Sequence, residues 1–508
     1  MSGHPETPEK PTYPNKQIQS KKYLPSNMKY FATKTNLAIA CAGLLLPLAA
    51  SAQTNIFTDN YNVANGNLDT ASLAGRTNGL AGGVLPQSTT VEQGISGNAL
   101  KLYPGGGDGT GKSGAMRFDT IGHTTNLWDW SSGAGGTAIT NAGGMSISFN
   151  WTANNTTSSD WIFLAAGADP ADIYGLNYAL LAASSATSSG ILIANNGTVQ
   201  AYNQGVLSAS GSFTPAGTNH VVKLDYQFKS WAAGSPVTVN VIVDGNYVIN
   251  DSFTWKYGAG KQYLDLGTYQ ETNVVDNFKV STFVGTIASG FSTNTFVNNG
   301  TLPWGAHADN GSEWYTPTNS SGLPCVTFSS NALTLTSYYI PQNGYNYQAG
   351  VVYATAEVPA SGYTYATVDV DIYSPYAGTT GCWPAWWLDS AWNWPPEIDI
   401  AEFKGNVGGG NVWQNAVGSD GNWKVVISTI TKTAWHHYGL ALGPISGGAR
   451  TYQLFLDGVI KNQGSFPDAQ GGVPFWVIAN YANEGDSLTP GPTYDTYVQL
   501  KNYIVATH

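Results

Sequence analysis

Three cysteines in 508 residues are too few for a disulfide framework or a zinc–thiolate centre. Charge is scarce as well. Asp, Glu, Lys and Arg make up 10% of the chain, with 21 basic residues against 32 acidic ones and a net charge of −11. A surface of that sign repels phosphate and sulfate polyanions, which argues against nucleic acid as a partner. No long stretch repeats its apolar residues every 3.6 positions, so the chain does not read as helical. The apolar run near the N-terminus, Leu37–Ala50, has 14 residues, short of a bilayer span.

That run has the chemistry of an export signal. It follows Met28, Lys29 and Lys34, and Ala50-Ser51-Ala52 then supplies a small-x-small cleavage site. Residues 1–52 are expected to be an N-terminal extension and signal peptide, cleaved after Ala52. Cys41 sits inside the apolar run, where it is unsuited to lipid attachment. Removing residues 1–52 takes six lysines and two glutamates and leaves a net charge of −15. Cys325 and Cys382 remain; an oxidising compartment permits a disulfide between them, and their Cα separation decides it. The expected location is extracellular or periplasmic, with no membrane contact after cleavage and a monomer as the default.

Glycine and aromatic residues are plentiful: 60 Gly, 29 Tyr and 17 Trp. From Thr54 to about Phe283 short apolar runs alternate with turns: GMSISFNW, HVVKLDYQF, VTVNVIVDGNYVI and VVDNFKVSTF. Val237, Val239, Val241 and Val243 fall on one face of a strand, and Thr238, Asn240 and Ile242 on the other. The Asp-Gly of VDGNY marks a hairpin. The small-residue stretch 284–290 is expected to link this block to a second β-rich block, 291–508. The predicted fold is all-β, with two β-sandwich (jelly-roll) domains in tandem. The first, over 54–283, broadly resembles concanavalin-like and laminin-G-like jelly rolls, which implies an accessory domain, and its Trp128, Trp130, Trp161 and Trp231 are candidates for a sugar platform.

The stretch NWPPEIDIAEFKG crowds Glu397, Asp399 and Glu402 into a segment that otherwise reads as a buried strand. Strict alternation puts Glu397 and Asp399 on one face and Ile398 and Ile400 on the other. Glu402 would then enter the core, where an unpaired carboxylate is costly. A one-residue bulge near Ile400–Ala401 returns it to the face of the other two acids. Two carboxyls about 5–5.5 Å apart suit a retaining glycosidase, one as nucleophile and one as proton donor. A third acid between them raises the proton affinity of its neighbour and orients the nucleophile. Calcium sites draw on turns and backbone carbonyls rather than on acids alternating with isoleucines. Eleven tryptophans lie in the C-terminal block, five of them in 383–394, which suggests a stacking surface.

EIDIAE together with WPAWWLD resembles glycoside hydrolase family 16, over about 290–508. The resemblance implies a jelly-roll sandwich with a cleft, Glu397 as nucleophile, Asp399 as assisting acid and Glu402 as general acid/base. It also places Trp383 and Trp387 in the cleft, with Trp386 in the core. His436 of AWHHYGLAL, Asn346 of NYQAGVV and Asn480 of PFWVIANY are implied substrate contacts. Two positions depart from the family pattern. Val351 stands where β-1,3-glucan-cleaving members carry an arginine, and Gln499 stands at a calcium-associated acidic position. No cofactor is required, and a structural calcium is not supported.

The implied activity is endo-acting, retaining hydrolysis of a neutral polysaccharide, β-1,3 or mixed β-1,3/1,4 glucan. The stretch 376–420 offers a single cation, Lys404, which disfavours sulfated galactans. Neutral agarose stays open, as does transglycosylation through the same intermediate. A non-catalytic carbohydrate-binding protein is the alternative of another class.

Overall fold

The computed structural model describes residues 53–67, 84–88, 94–103, 113–120, 128–156, 160–168, 181–309, 311–405, 410–469, 471–484 and 490–508. The expected signal peptide lies outside them. Among the described residues the fold is all-β, with four antiparallel-dominated sheets and one α-helix. The N-terminal half packs a nine-stranded sheet against a seven-stranded one, and the C-terminal half packs a ten-stranded sheet against another of seven.

The hairpin signals act as expected. Asp244 and Gly245 both have positive φ and connect Val243 to its cross-strand partner Asn246 in two residues. Asp457 and Gly458 do the same between Leu456 and Val459. Both are the twist-matched turns that Asp-Gly favours. The helix Gly133–Ala142 was not expected, because GAGGTAITNA has no apolar periodicity. Packing holds it instead: Ile139 is buried, and Trp231 Nε1 donates to Gly136 O.

Two expectations are corrected. Trp130 and Trp231 are buried in its core, with Trp128 packed against them, so the four tryptophans form no sugar platform. Trp161 packs in a separate cluster over Phe163 and Leu192. The stretch 284–290 is not a free linker. Its strand Thr286–Ser289 pairs antiparallel with the last strand, Thr496–Thr507. Gly285 permits this close approach, since a Cβ there would lie 1.8 Å from Thr507 O. Cys325 and Cys382 are buried free thiols.

The two halves share a buried polar layer. Every residue of Pro236–Val243 after the first is buried, including Thr238 and Asn240 on the face without valines. That face meets the second half. Asn250 donates to Asn240 Oδ1 and Asp369 Oδ1, both at 2.7 Å, and accepts from His437 Nε2 at 2.9 Å. His437 Nδ1 donates to Asp371 Oδ1 at 2.8 Å. Burial opposes charge on His437, but the hydrogen bond and charge of Asp371, with Asp369 and Asp251 nearby, push it up to about 9. His508 Nδ1 donates to Asp225 Oδ2 at 2.7 Å and, against the effect of burial, holds that carboxyl at about 2. Ile242, Tyr247, Ala441 and Phe455 form the apolar patch beside this layer.

Candidate active site

One face of the C-terminal seven-stranded sheet opens on a cleft of about 900 Å³. The strand Glu397–Glu402 lies in its floor, between Cys382–Ser390 and Asn411–Val417. Register decides which side chains face the cleft. Asp389 opposes Glu397 and Trp387 opposes Asp399, but Trp386 opposes Ala401 and Ala385 opposes Glu402. Ile400 is therefore the extra residue of a bulge, which resets the alternation. Glu397, Asp399 and Glu402 all line the cleft, while Ile398, Ile400 and Ala401 join the core beneath. Full burial of each isoleucine contributes about 1.5–3 kcal/mol, which anchors the strand behind its acids.

Each acid has specific partners. Trp394 Nε1 donates to Glu397 Oε2 at 2.5 Å. Asn415, opposite Asp399 in register, donates to Asp399 Oδ2 at 3.1 Å and to Glu402 Oε2 at 2.9 Å. Glu402 Oε1 accepts from Trp383 Nε1 at 2.6 Å and pairs with Lys404 Nζ at 3.0 Å. Burial, then the neighbouring carboxylates, raise Glu397 and Asp399 above the ordinary acid range; the Trp394 N–H opposes this for Glu397, and Asn415 for Asp399. The cluster therefore holds fewer than three negative charges near neutrality. Asp389, cross-strand to Glu397, is pushed up to about 7 by burial, with Asp309 adding to the effect.

Lys404 also lies 4.3 Å above the Trp383 ring. It fixes the side chain that holds Glu402 as well as pairing with that acid directly. A charge-assisted contact of this kind typically contributes about 1.5–3 kcal/mol. Lys404→Met is expected to lower kcat about tenfold through loss of orientation, with KM changed less, as steady-state kinetics would show. An unaltered kcat would remove Lys404 from the machinery.

The predicted contacts divide. Trp383, Trp387 and Asn480 line the cleft. Trp387 is 94% buried, edge-on to Trp304, and its Nε1 donates to Asn480 Oδ1 at 2.9 Å, so it shapes the floor more than it offers a stacking face. Trp386 is in the core. His436 is not in the cleft; it caps a hairpin, with Nδ1 on Asp457 Oδ2 at 2.7 Å and Nε2 on Thr431 O at 3.1 Å. Asn346 is exposed and also outside the cleft, its backbone N–H donating to Ser312 O. Val351 is buried opposite Asn480 and contributes no polar group. Sequence reasoning missed Asn415, Asp389 and Trp394. Trp394 carried a signal as part of the tryptophan cluster and Asp389 as the last residue of WPAWWLD; Asn415 is found through strand register alone.

A second layer supports Asn480, whose Nδ2 donates to the Tyr315 hydroxyl at 2.7 Å. Two residues away, Glu313 Oε2 accepts from the Asn483 N–H at 2.8 Å. Burial pushes Glu313 up to about 8 from 4.5. A raised acid stabilises the fold fully below its unfolded pKa, and that stabilisation is lost as pH rises through the folded value. Thermal midpoints of the wild type are expected to fall between about pH 5 and 8 for this reason. Glu313→Gln, which keeps the neutral shape, should flatten that slope; an unchanged slope would assign the effect to other groups.

Residues 311–470 match the family model for Glycosyl hydrolases family 16. The chain is a glycoside hydrolase, and the matched segment of its C-terminal half is similar to family 16 catalytic domains. Over 227 residues it is 29% identical to a galactan endo-beta-1,3-galactanase of Flammulina velutipes, covering 42% of this chain and 86% of that protein. Among solved structures, it is similar to the catalytic domain of an endo-1,3-beta-glucanase (laminarinase) from Thermotoga petrophila RKU-1. That match has 16% identity and a TM-score of 0.32, over 43% of this chain and 94% of the other. The laminarinase from Rhodothermus marinus is similar at 17% identity and a TM-score of 0.33, over 43% and 93%.

Proposed function

We propose that this chain is a secreted, endo-acting, retaining hydrolase of neutral β-1,3-linked polysaccharide. The observation that carries the reading is the bulge at Ile400, which puts Glu397 and Glu402 into one cleft with Asp399 between them. Glu397 attacks the anomeric carbon, and the Trp394 N–H favours its charged form. Glu402, oriented by Trp383 and Asn415, gives its proton to the leaving oxygen. It then takes a proton from the water that releases the glycosyl-enzyme. Asp399 holds a proton within the cluster and, through Asn415, links its state to that of Glu402.

Within neutral β-1,3-glycans, galactan is favoured by the galactanase relative and by the buried Val351 at the expected arginine position. Glucan is the second reading, favoured by the Trp-Pro-Ala-x-Trp strand. Export is supported by residues 28–52 alone. The test is a panel of β-1,3-galactan, laminarin, lichenan and agarose, with new reducing ends counted and the first-formed anomer read by proton NMR. Release of the β-anomer from one of the β-1,3-linked polymers supports the proposal. An α-anomer would exclude the double displacement, and binding with no new reducing ends would make the chain a carbohydrate-binding protein.

A further inference from the structure

The cleft floor continues past the acids onto the last strand of the sheet, Trp423–Thr429. This strand pairs on one side only, with Asn411–Val417. Trp423, Val425 and Ile427 occupy alternate positions and are 46%, 45% and 48% exposed. They oppose Val417, Asn415 and Trp413, and Asn415 and Trp413 line the cleft, so the three share the cleft face. Lys424 turns to the other face, where its ammonium donates to Ser465 O. The result is an uncharged apolar stripe of about 13 Å, taken as four residue rises along the strand, on a sheet edge of the kind usually blunted by charge. Solvated apolar stripes of this kind mark binding surfaces.

We propose that Trp423, Val425 and Ile427 form an additional carbohydrate platform, on which the neutral polysaccharide lies after it leaves the catalytic acids. The inference rests on the hydrolase reading and extends it. Continuity identifies the occupant. Asn415, which faces Val425, touches both Asp399 and Glu402, and Trp423 and Val425 themselves line the cleft. A chain that runs from the acids toward this edge lands on the stripe. The absence of charge fits a neutral glycan, and the indole of Trp423 offers a face to the apolar side of a pyranose. The platform makes the enzyme prefer long chains over short ones.

The test compares wild type with Trp423→Ser/Val425→Thr/Ile427→Thr, whose threonines keep strand propensity, and with Trp423→Ala alone. Substrates are the polymer cleaved in the panel and its trisaccharide. In the triple variant the ratio of kcat/KM for polymer to that for trisaccharide is expected to fall at least about tenfold, from lost apolar contact. Trp423→Ala should show part of the same shift. A ratio unchanged in both variants would overturn the platform. So would a wild-type dimer, seen by light scattering, that the triple variant abolishes, since the stripe would then belong to a second copy. If wild type cleaves no polymer the hydrolase reading fails by itself. Affinity electrophoresis of wild type and variants in gels containing each polymer then decides the platform separately, by equal or unequal retardation.

Discussion

Glu397→Gln is expected to lower kcat on polymer by at least about 10³-fold, equivalent to about 4 kcal/mol of transition-state stabilisation. The amide keeps the size and one acceptor of the carboxyl but cannot form the glycosyl-enzyme. KM should change only a few-fold, because the floor formed by Trp387 and Asn480 is untouched. Glu402→Gln should cost a similar factor, through loss of the proton donor. Asp399→Asn should cost less, about 10–100-fold, because Asn415 still bridges that position to Glu402. Reducing-end assays with matched far-UV spectra measure all three. Activity of Glu397→Gln within tenfold of wild type would remove it as nucleophile and with it the double displacement.

Asn250→Ala is expected to destabilise the whole protein by about 3 kcal/mol, although residue 250 lies far from the acids in sequence. Its amide is 1% exposed and satisfies Asn240, Asp369 and His437 at once. Truncation leaves a buried carboxyl and an imidazolium each short of a partner. Because these groups come from both halves, urea unfolding should show one transition in the wild type, and the variant should shift its midpoint as a whole. A change below about 0.5 kcal/mol, the ordinary level for a surface substitution, would mean that water replaces the amide without penalty.

Much of the architecture was legible because its signals are local. Alternating valines, Asp-Gly turns and the absence of helical periodicity all point to antiparallel sheets, and the clash of Glu402 with the core demanded the bulge. What stayed hidden depends on partners distant in the chain. Asn415 bridges two acids only because its strand pairs in one register with Glu397–Glu402. His436 and His437 alternate on one strand, and nothing local says that the first caps a hairpin while the second enters a buried polar layer. Trp130 and Trp231 looked like platform residues because indole suits a core and a sugar equally well; packing decided for the core.

The buried layer around Asn250 bears on whether either half can stand alone. A joint that pairs strands and buries charge resists separation of the parts it connects. Here the joint is stitched into a sheet by Thr286–Ser289, and the contact surface carries Asp225, Asp369, Asp371 and His437. A C-terminal half separated from its companion would expose that ionic set with nothing to match it, so each half is expected to be stable only beside the other.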